Sequence, residues 1–539
     1  MANLVRLLSV NRSLTFQKNI RGLSQSLNRN YSDNRVPQHS QVVICGGGTI
    51  GTSIAYHLSL KGITDVVLLE QGSLSSGTSW HGAGLFGRYK TGFRGKMADY
   101  GAKLLKELDD NGHHTGLINN GSLLLSTNEE RTKMLMYEKE KVRANDIEAT
   151  WISPQEVAKL HPFANTEHIK GAIWVPGDCV ANPTDMCQVF AKLAKEKGTK
   201  VIEDCHIISA ETTNGRISSV TTSDGKISCE HFVLCGGMWS HHFGLKMNPP
   251  VVIPAHASQH FYLLTKPIEG TSAKLPTIRD FDASTYIREW SGGFLCGIFE
   301  PDSLPEFGDG VPSNLRYHLF DSNWEHFEPY IEGIVKIVPS VENAEVQQLL
   351  NGPESFSCDG HMIIGETPQI GNMYVATAMS SNGIVQASGV GRIISELIAK
   401  EETFVDCSKV DIKRFQKHQN TANYLLDRTT EIINCFYKAS HPMQDSYTTS
   451  RGARTSALYP LHQHSGGVFS LINNIETPVY FNKSKKELPA RSITKPNWFD
   501  VVKEEYAECI DQCGIVDMTS QYAYFKISVS GSSSFLYCG

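Results

Sequence analysis

The sequence predicts a mixed α/β and α+β fold, a helix-covered parallel sheet joined to a separate antiparallel sheet, and three observations carry that expectation. Residues 41–70 read as strand, glycine-rich turn, helix, strand and acid. Residues 182–240 repeat a helix followed by strands and open into a Gly-Gly turn. Residues 250–345 change character, with strand-like runs such as 260–265 and 293–299 alternating with turn-rich loops, as suits an antiparallel sheet carrying a substrate pocket.

The first unit, QVVICGGGTIGTSIAYHLSLKGITDVVLLE, sets Gly46, Gly48 and Gly51 in a G-x-G-x-x-G turn between strand and helix. This is the Rossmann-like arrangement for a dinucleotide. Gly46 takes the tight turn, Gly48 lets backbone approach a pyrophosphate, and Gly51, with Ala55 one turn on, lets the helix lie close to the sheet. The helix N-terminus, with its orphan N–H groups and positive dipole end, then faces the phosphates. Glu70 follows Gly51 by 19 residues, where a carboxylate accepts the hydroxyls of an adenosine ribose and disfavours a 2′-phosphate. FAD or NAD therefore fits better than NADP. Eleven residues later His81 stands in SGTSWHGAGL; a lone His in a Gly-rich loop is ordinarily a surface or core residue.

Between residues 70 and 170 the sequence reads as polar and helix-like, with charge-rich stretches such as 128–145. Asn182-Pro183-Thr184-Asp185 then supplies an N-cap, a first-turn proline and an early acid, and Gly198 stops the helix. The strand at 200–202 and the runs 209–220 and 226–235 lead to Gly236-Gly237-Met238-Trp239-Ser240, a turn that lets backbone come close to a second stretch of the dinucleotide. After the antiparallel segment the chain returns with a strand at 373–378, the turn Ser380-Ser381-Asn382-Gly383 and a helix carrying Val390, Ile393, Ile394, Leu397 and Ile398 on one face. The candidate cofactor-binding residues of these turns are Gly46, Gly48, Gly51, Glu70, Gly236, Trp239, Ser381 and Gly383, to which a family resemblance adds Gln71, Ser76, Gly77, Thr78, His81, Gly84 and Ile207.

The 539 residues are 40% hydrophobic and 20% charged, ordinary for a chain long enough to bury more than one core. No apolar run reaches the ~18 residues of a membrane span. Residues 1–32 carry Arg6, Arg12, Lys18, Arg21 and Arg29 and no acid, the composition of a mitochondrial transit peptide or of a disordered basic tail. Without those five charges the net charge moves from −6 to −11, which argues against nucleic acid or an anionic membrane as the main partner. The thirteen cysteines include no C-x-x-C, and Cys45, Cys235 and Cys296 sit in apolar runs; they read as reduced. Neither Cys509 with Cys513 nor the twenty histidines show metal-ligand spacing.

GGGTIG, Glu70, SGTSWHGAGL, VLCGGMWS, GPESFSCDGHMIIGETP and the SSNG segment resemble the mitochondrial dimethylglycine dehydrogenase and sarcosine dehydrogenase family, which also contains the pyruvate dehydrogenase phosphatase regulatory subunit. The resemblance runs from about residue 40 to 539. KMADY, HASQHFYLLTKPIE, DSNWEHFEP and KPNWFDVV look closest to the regulatory subunit, whereas the Trp80-His81 pair looks like the dehydrogenases, in which this His carries the flavin covalently. The resemblance implies a D-amino-acid-oxidase-like fold. It divides the chain into a transit peptide at 1–35, an FAD-dependent oxidoreductase at 40–400, a connecting domain at 401–460 and the start of an aminomethyltransferase-like domain at 461–539. Within the oxidoreductase it puts FAD binding at about 40–245 and 346–400 and the substrate sheet at about 246–345. GIVDMTSQYAYFKISVSG resembles the opening of that last domain, so most of the family's tetrahydrofolate site is expected to be absent.

The implied activity is hydride transfer from an N-methyl glycine, sarcosine or dimethylglycine, to FAD in the mitochondrial matrix, with electrons passed to electron-transferring flavoprotein. His260, in HFYLLT, and Tyr286, in the Tyr-Ile-Arg-Glu run, match the family's pocket residues. A His of near-neutral pKa and a phenol suit proton acceptance or relay, because hydride loss needs a neutral nitrogen lone pair. Each is equally a hydrogen-bonded residue on a half-buried strand. Arg288 suits a substrate carboxylate or a strand-edge salt bridge. Ser380-Ser381 and Ala387-Ser388-Gly389 depart from the family's Asn-Ser and triple-glycine stretches, so the flavin pyrimidine contacts are expected to differ. The competing expectation is a regulatory subunit, acting on the phosphatase catalytic subunit, that keeps the fold without turnover.

Overall fold

The computed structural model describes residues 36–300, 302–436, 447–484, 488 and 494–521. It forms two units, Met1–Ser440 and His441–Gly539. The transit-peptide segment lies outside the described residues.

The first sheet of the larger unit is built on β1 (His39–Cys45), the helix α1 (Thr49–Leu60) and β2 (Val66–Leu69). Val42, Val43 and Ile44 are fully buried, as a central strand covered on both faces requires. β1 lies parallel between β2 and the strand Gly225–Leu234; Met373–Thr377 continues the sheet on one side and Lys200–Ile202 on the other. Helix Pro183–Glu196 begins where expected, the Asn182 side chain accepting from the N–H groups of Thr184 and Asp185. It packs with Ala387–Ile398 against α1. Gly391 permits the close approach, since a Cβ there would stand 2.3 Å from Ser53 Oγ.

The second sheet contains β3 (Ala255–Thr265), β4 (Thr277–Asp280), β5 (Thr285–Trp290), β6 (Gly293–Ile298) and β7 (Val346–Ser357). Its main path runs β3, β6, β5, β4 and on to strands Ser122–Ser126, Gly171–Val175 and Thr150–Ile152. These last three fall in the stretch read as polar and helix-like. Ser122–Ser126 is buried at every position, so it shows no period-2 alternation, and its partner β4 comes some 150 residues later. The stretch also holds the expected helices, among them α2 (Gly92–Asp110) and Glu129–Arg143. β7, assigned from the sequence to the FAD-binding part, instead pairs along β3 from Ala255↔Ser357 to Thr265↔Val346.

The segment after residue 400 does not begin a separate body. Val410, Ile412, Phe415, Tyr424 and Leu425 join cores of the first unit, and Arg414 pairs with Asp359 at 2.7 Å. The second unit contains an antiparallel pair, Gly467–Ile472 with Ile475–Phe481, and the helix Phe499–Asp511. Asp517, in the segment likened to the folate-binding domain, accepts from Ser456 Oγ at 2.6 Å and pairs with His462 Nε2 at 3.0 Å.

Candidate functional site

A cavity of about 550 Å³ lies among residues of both sheets of the first unit. Every candidate named from the sequence lines it except Gly51 and Arg288. Gly51 sits beneath, where a Cβ would be 1.9 Å from the Gly46 carbonyl oxygen, so it seats α1 on the turn. Gly46 has φ +111°, and a Cβ there would meet Cys235 O at 2.5 Å. At Gly48 only Ser79 Oγ stands near, at 3.0 Å, leaving the backbone open to the cavity. Glu70 Oε2 accepts from Gly47 N–H and Oε1 from Gly72 N–H, both at 2.7 Å. Burial pushes its pKa up while those N–H groups hold it down. Each oxygen keeps a lone pair for a ribose hydroxyl. Ser381 reaches the cavity, but its N–H and hydroxyl bind Glu354 at 2.7 and 2.9 Å.

His81 ends the short helical turn Ser79–His81 and is 7% exposed. Its main-chain oxygen accepts from the Tyr262 hydroxyl at 3.1 Å, and its ring lies against the backbone of Gly352, where a Cβ would be 2.6 Å from Cε1. Nε2 is buried without a hydrogen-bond partner. Burial, helped by His260 beside it, pushes the pKa down to about 4. The imidazole is neutral at physiological pH, the form that can act as a nucleophile.

His260 behaves in the opposite way. Burial alone would lower its pKa, but Nδ1 lies 2.8 Å from Glu300 Oε2, and that charge and hydrogen bond raise it to about 9. Glu300 is 2% exposed and held by Phe261 N–H at 2.9 Å. The expected His of near-neutral pKa is therefore an imidazolium already paired, and it cannot accept a substrate proton at neutral pH. Tyr286 is buried across from Gly297 on β6, whose missing side chain makes room for the phenol ring. Burial raises its pKa well above the usual phenol value, so it remains O–H. Arg288 is not among the cavity-lining residues and has no ion pair among the described residues; it lies over the Trp290 ring at 4.7 Å, with Nε buried without a partner.

Several site residues had no sequence signal. Glu354, Tyr262, Lys90, Arg94 and Arg279 line the cavity, while Glu300 and Gly352 shape its wall. Glu354, Tyr262 and Arg279 stand on strands buried at most positions, Lys90 in a loop and Arg94 in the first turn of α2, and only the tertiary fold brings them together. Among the described residues no group of three His, Cys, Asp or Glu could hold a metal, the cysteines form no disulfide, and no helix is long and apolar enough to cross a membrane. The glycine cradle, Glu70 and the orphaned His81 Nε2 together fit a flavin dinucleotide.

A family model described as FAD dependent oxidoreductase matches residues 41–397, and one described as FAD dependent oxidoreductase central domain matches residues 402–456. The chain is 34% identical over 515 residues to the mitochondrial pyruvate dehydrogenase phosphatase regulatory subunit of Mus musculus, covering 93% of this chain and 58% of that protein. It is 33% identical over 520 residues to 4-methylaminobutanoate oxidase (formaldehyde-forming) of Paenarthrobacter nicotinovorans, covering 94% and 61%. With the mitochondrial sarcosine dehydrogenase of Homo sapiens it shares 30% over 463 residues, covering 83% and 49%. The chain thus spans between 49% and 61% of these relatives' lengths. Among solved structures, L-proline dehydrogenase from P. horikoshii matches with TM-score 0.64 at 23% identity, covering 70% of this chain and 98% of that one. Glycine oxidase from Geobacillus kaustophilus matches at 0.60 and 22%, covering 70% and 100%. At these identities the likeness concerns the fold.

Proposed function

The chain belongs to the FAD dependent oxidoreductase family, in the group of sarcosine and dimethylglycine dehydrogenases and the phosphatase regulatory subunit, and from that premise we propose that it oxidises an N-methylated amino acid, the N-methyl glycines being the simplest. The observation that carries this reading is the buried, neutral, unpartnered His81 Nε2 in the cavity. The turn at Gly46 and Gly48 with the start of α1 would hold the pyrophosphate, Glu70 the ribose, the Ser381–Gly383 turn the pyrimidine end, and His81 the flavin ring by a covalent bond. Bound FAD supplies the hydride acceptor.

The protein's own groups prepare the amine. Loss of hydride from the N-methyl carbon requires the nitrogen lone pair, so an ammonium substrate must first give up a proton. His260 is already protonated and Tyr286 is too weak a base. Glu70 and Glu354 are the carboxylates among the cavity-lining residues, and Glu70 lies at the glycine turn. Glu354, its pKa raised by burial and checked by His260 and Ser381, is the proposed proton acceptor. The mitochondrial names of the relatives support a mitochondrial location; the matrix and electron-transferring flavoprotein as the electron acceptor are part of the same proposal.

The test begins with acid precipitation of purified protein. Flavin should pellet with the wild type and stay in solution with His81→Ala; yellow supernatant from both would remove the covalent link. Dye reduction by sarcosine, dimethylglycine or a longer N-methyl amino acid should follow, and should fall at least tenfold in Glu354→Gln. The 34% identity over 93% of the chain to the phosphatase regulatory subunit favours a second reading, regulation of that phosphatase with the flavin retained. Tight FAD without reduction by any of these amines would select it.

A further inference from the structure

One corner of the cavity, away from His81, is lined by cations. Arg279 on β4 stands opposite Tyr286 on β5, Tyr286 opposite Gly297 on β6, and Gly297 opposite Tyr262 on β3, whose hydroxyl binds the His81 main chain. At ~4.8 Å per strand, three spacings put the Arg279 backbone about 14 Å from that of Tyr262. Bare Gly87 leaves room for the Arg279 guanidinium, since a Cβ there would be 2.5 Å from Nη2. Lys90 and Arg94 line the cavity from the loop after Gly87 and the first turn of α2. Phe281, Phe299 and Tyr286 line it as well, the two phenylalanine rings stacked at 5.3 Å and the Tyr286 ring 5.2 Å from Phe299, an aromatic wall that keeps water away.

The main chain of Lys90 is held and its amine is not. The backbone N–H donates to Arg88 O at 2.6 Å, and the carbonyl accepts from Asn145 Nδ2 at 3.4 Å and lies over bare Gly95, where a Cβ would be 2.3 Å away. Among the described residues neither Lys90 Nζ nor the Arg279 side chain has an ion pair or hydrogen bond, and Arg279 Nε is buried. The carboxylates that act on Lys90 and Arg94 are engaged elsewhere: Asp178 accepts from Arg88 N–H at 2.6 Å and from the Ser122 hydroxyl, and Asp359 pairs with Arg414 at 2.7 Å. Arg94 meets the His361 ring. Cations crowded without a counter-charge destabilise one another, and the amine is the group that gives up its proton, because a guanidinium does not. Burial, then Arg279 and Arg94, push Lys90 down to about 7. A desolvated lysine beside other cations has the free lone pair of a nucleophile.

We propose that Lys90 forms a reversible imine with a 2-oxo acid whose carboxylate is received by Arg279. In such an acid the carbonyl and carboxylate carbons are bonded neighbours, so one small ligand meets an amine and a guanidinium that share a corner. The planar fork of Arg279 takes the carboxylate by two hydrogen bonds, and the carboxylate supplies the missing negative charge. The Nζ lone pair bonds to the carbonyl carbon, both Nζ protons pass to the carbonyl oxygen, and water leaves as the C=N bond forms; nothing is oxidised or reduced. Hydrolysis reverses the step. Neither the flavin nor Glu354 takes part, so the site stands whether or not the cavity oxidises an amine.

The test uses the full, flavin-loaded chain. It is incubated with pyruvate and sodium cyanoborohydride, which reduces an imine to a stable secondary amine, and the modified residue is located by peptide mass spectrometry. Lys90 should be labelled before any other lysine, at a rate that saturates with pyruvate. Methyl pyruvate keeps the carbonyl and loses the charge, and 4-oxopentanoate sets carbonyl and carboxylate apart. With each rate divided by that for a free alkylamine, both should label Lys90 roughly 10- to 100-fold more slowly than pyruvate, the span of a lost charged hydrogen bond. Arg279→Met should remove most of the advantage of pyruvate with much less effect on methyl pyruvate, and Arg279→Lys should restore part of it. The comparison of the three carbonyl compounds on the unsubstituted chain decides the matter if Arg279→Met does not fold. Labelling spread evenly over the lysines, or equal relative rates at Lys90 for pyruvate and its methyl ester, would overturn the proposal.

Discussion

Two histidines lining one cavity are tuned in opposite directions. Burial takes His81 down to about 4, and Glu300 takes His260 up to about 9 against the same burial. The sequence presents both as a His in a short motif; it cannot show their charge, because Glu300 lies 40 residues from His260 and meets it only through the sheet. The stability consequence has a definite sign. An unfolded His titrates near ~6.5, so between that pH and about 9 the native chain holds one more proton at His260 than the unfolded chain. Stabilisation from the pair is complete below ~6.5 and is lost as pH rises through about 9. Thermal melts from pH 6 to 10 should show this decline, and Glu300→Gln should flatten it. An unchanged slope in that variant would show that the pair does not set it.

At the scale of elements, the pairing of β3 with β7 decides how His81 is held. His260 stands opposite Gly352, and the bare backbone of Gly352 is the surface against which the His81 ring rests. Gly352 has no positive φ, so alanine fits its backbone but not its surroundings. Gly352→Ala should displace the imidazole, reduce the fraction of flavin that pellets with acid-precipitated protein, and cost about 1–3 kcal/mol through overpacking. Full covalent incorporation in that variant would refute the contact. The glycine turn, α1, the capped helix after Asn182 and the helix bearing Val390 were legible, because local spacing and capping encode them. β7's allegiance to the second sheet was not, nor were the short strands between residues 122 and 175. Ser122–Ser126 and Gly171–Val175, buried almost throughout, have no alternation to read, and Ser122–Ser126 pairs with β4 far along the chain.

At the scale of the molecule, the cavity belongs to the Met1–Ser440 unit, while His441–Gly539 forms a second body. A ligand that binds one unit stabilises that unit by mass action. In the His81→Ala chain, where FAD is exchangeable, calorimetry should show two transitions, of which one moves by about 2.7 kcal/mol in stability at 100 times Kd. A single transition moving as a whole would show that the units unfold together. The sequence by itself determined the dinucleotide unit, the family and a set of candidate residues that line the cavity, since these lie in contiguous motifs whose spacing is the geometry. Tertiary structure alone decided the pairing of His260 with Glu300, the seating of His81 against Gly352, and the engagement of Glu354 by Ser381. Those properties depend on burial and on partners from distant strands, which no local pattern contains.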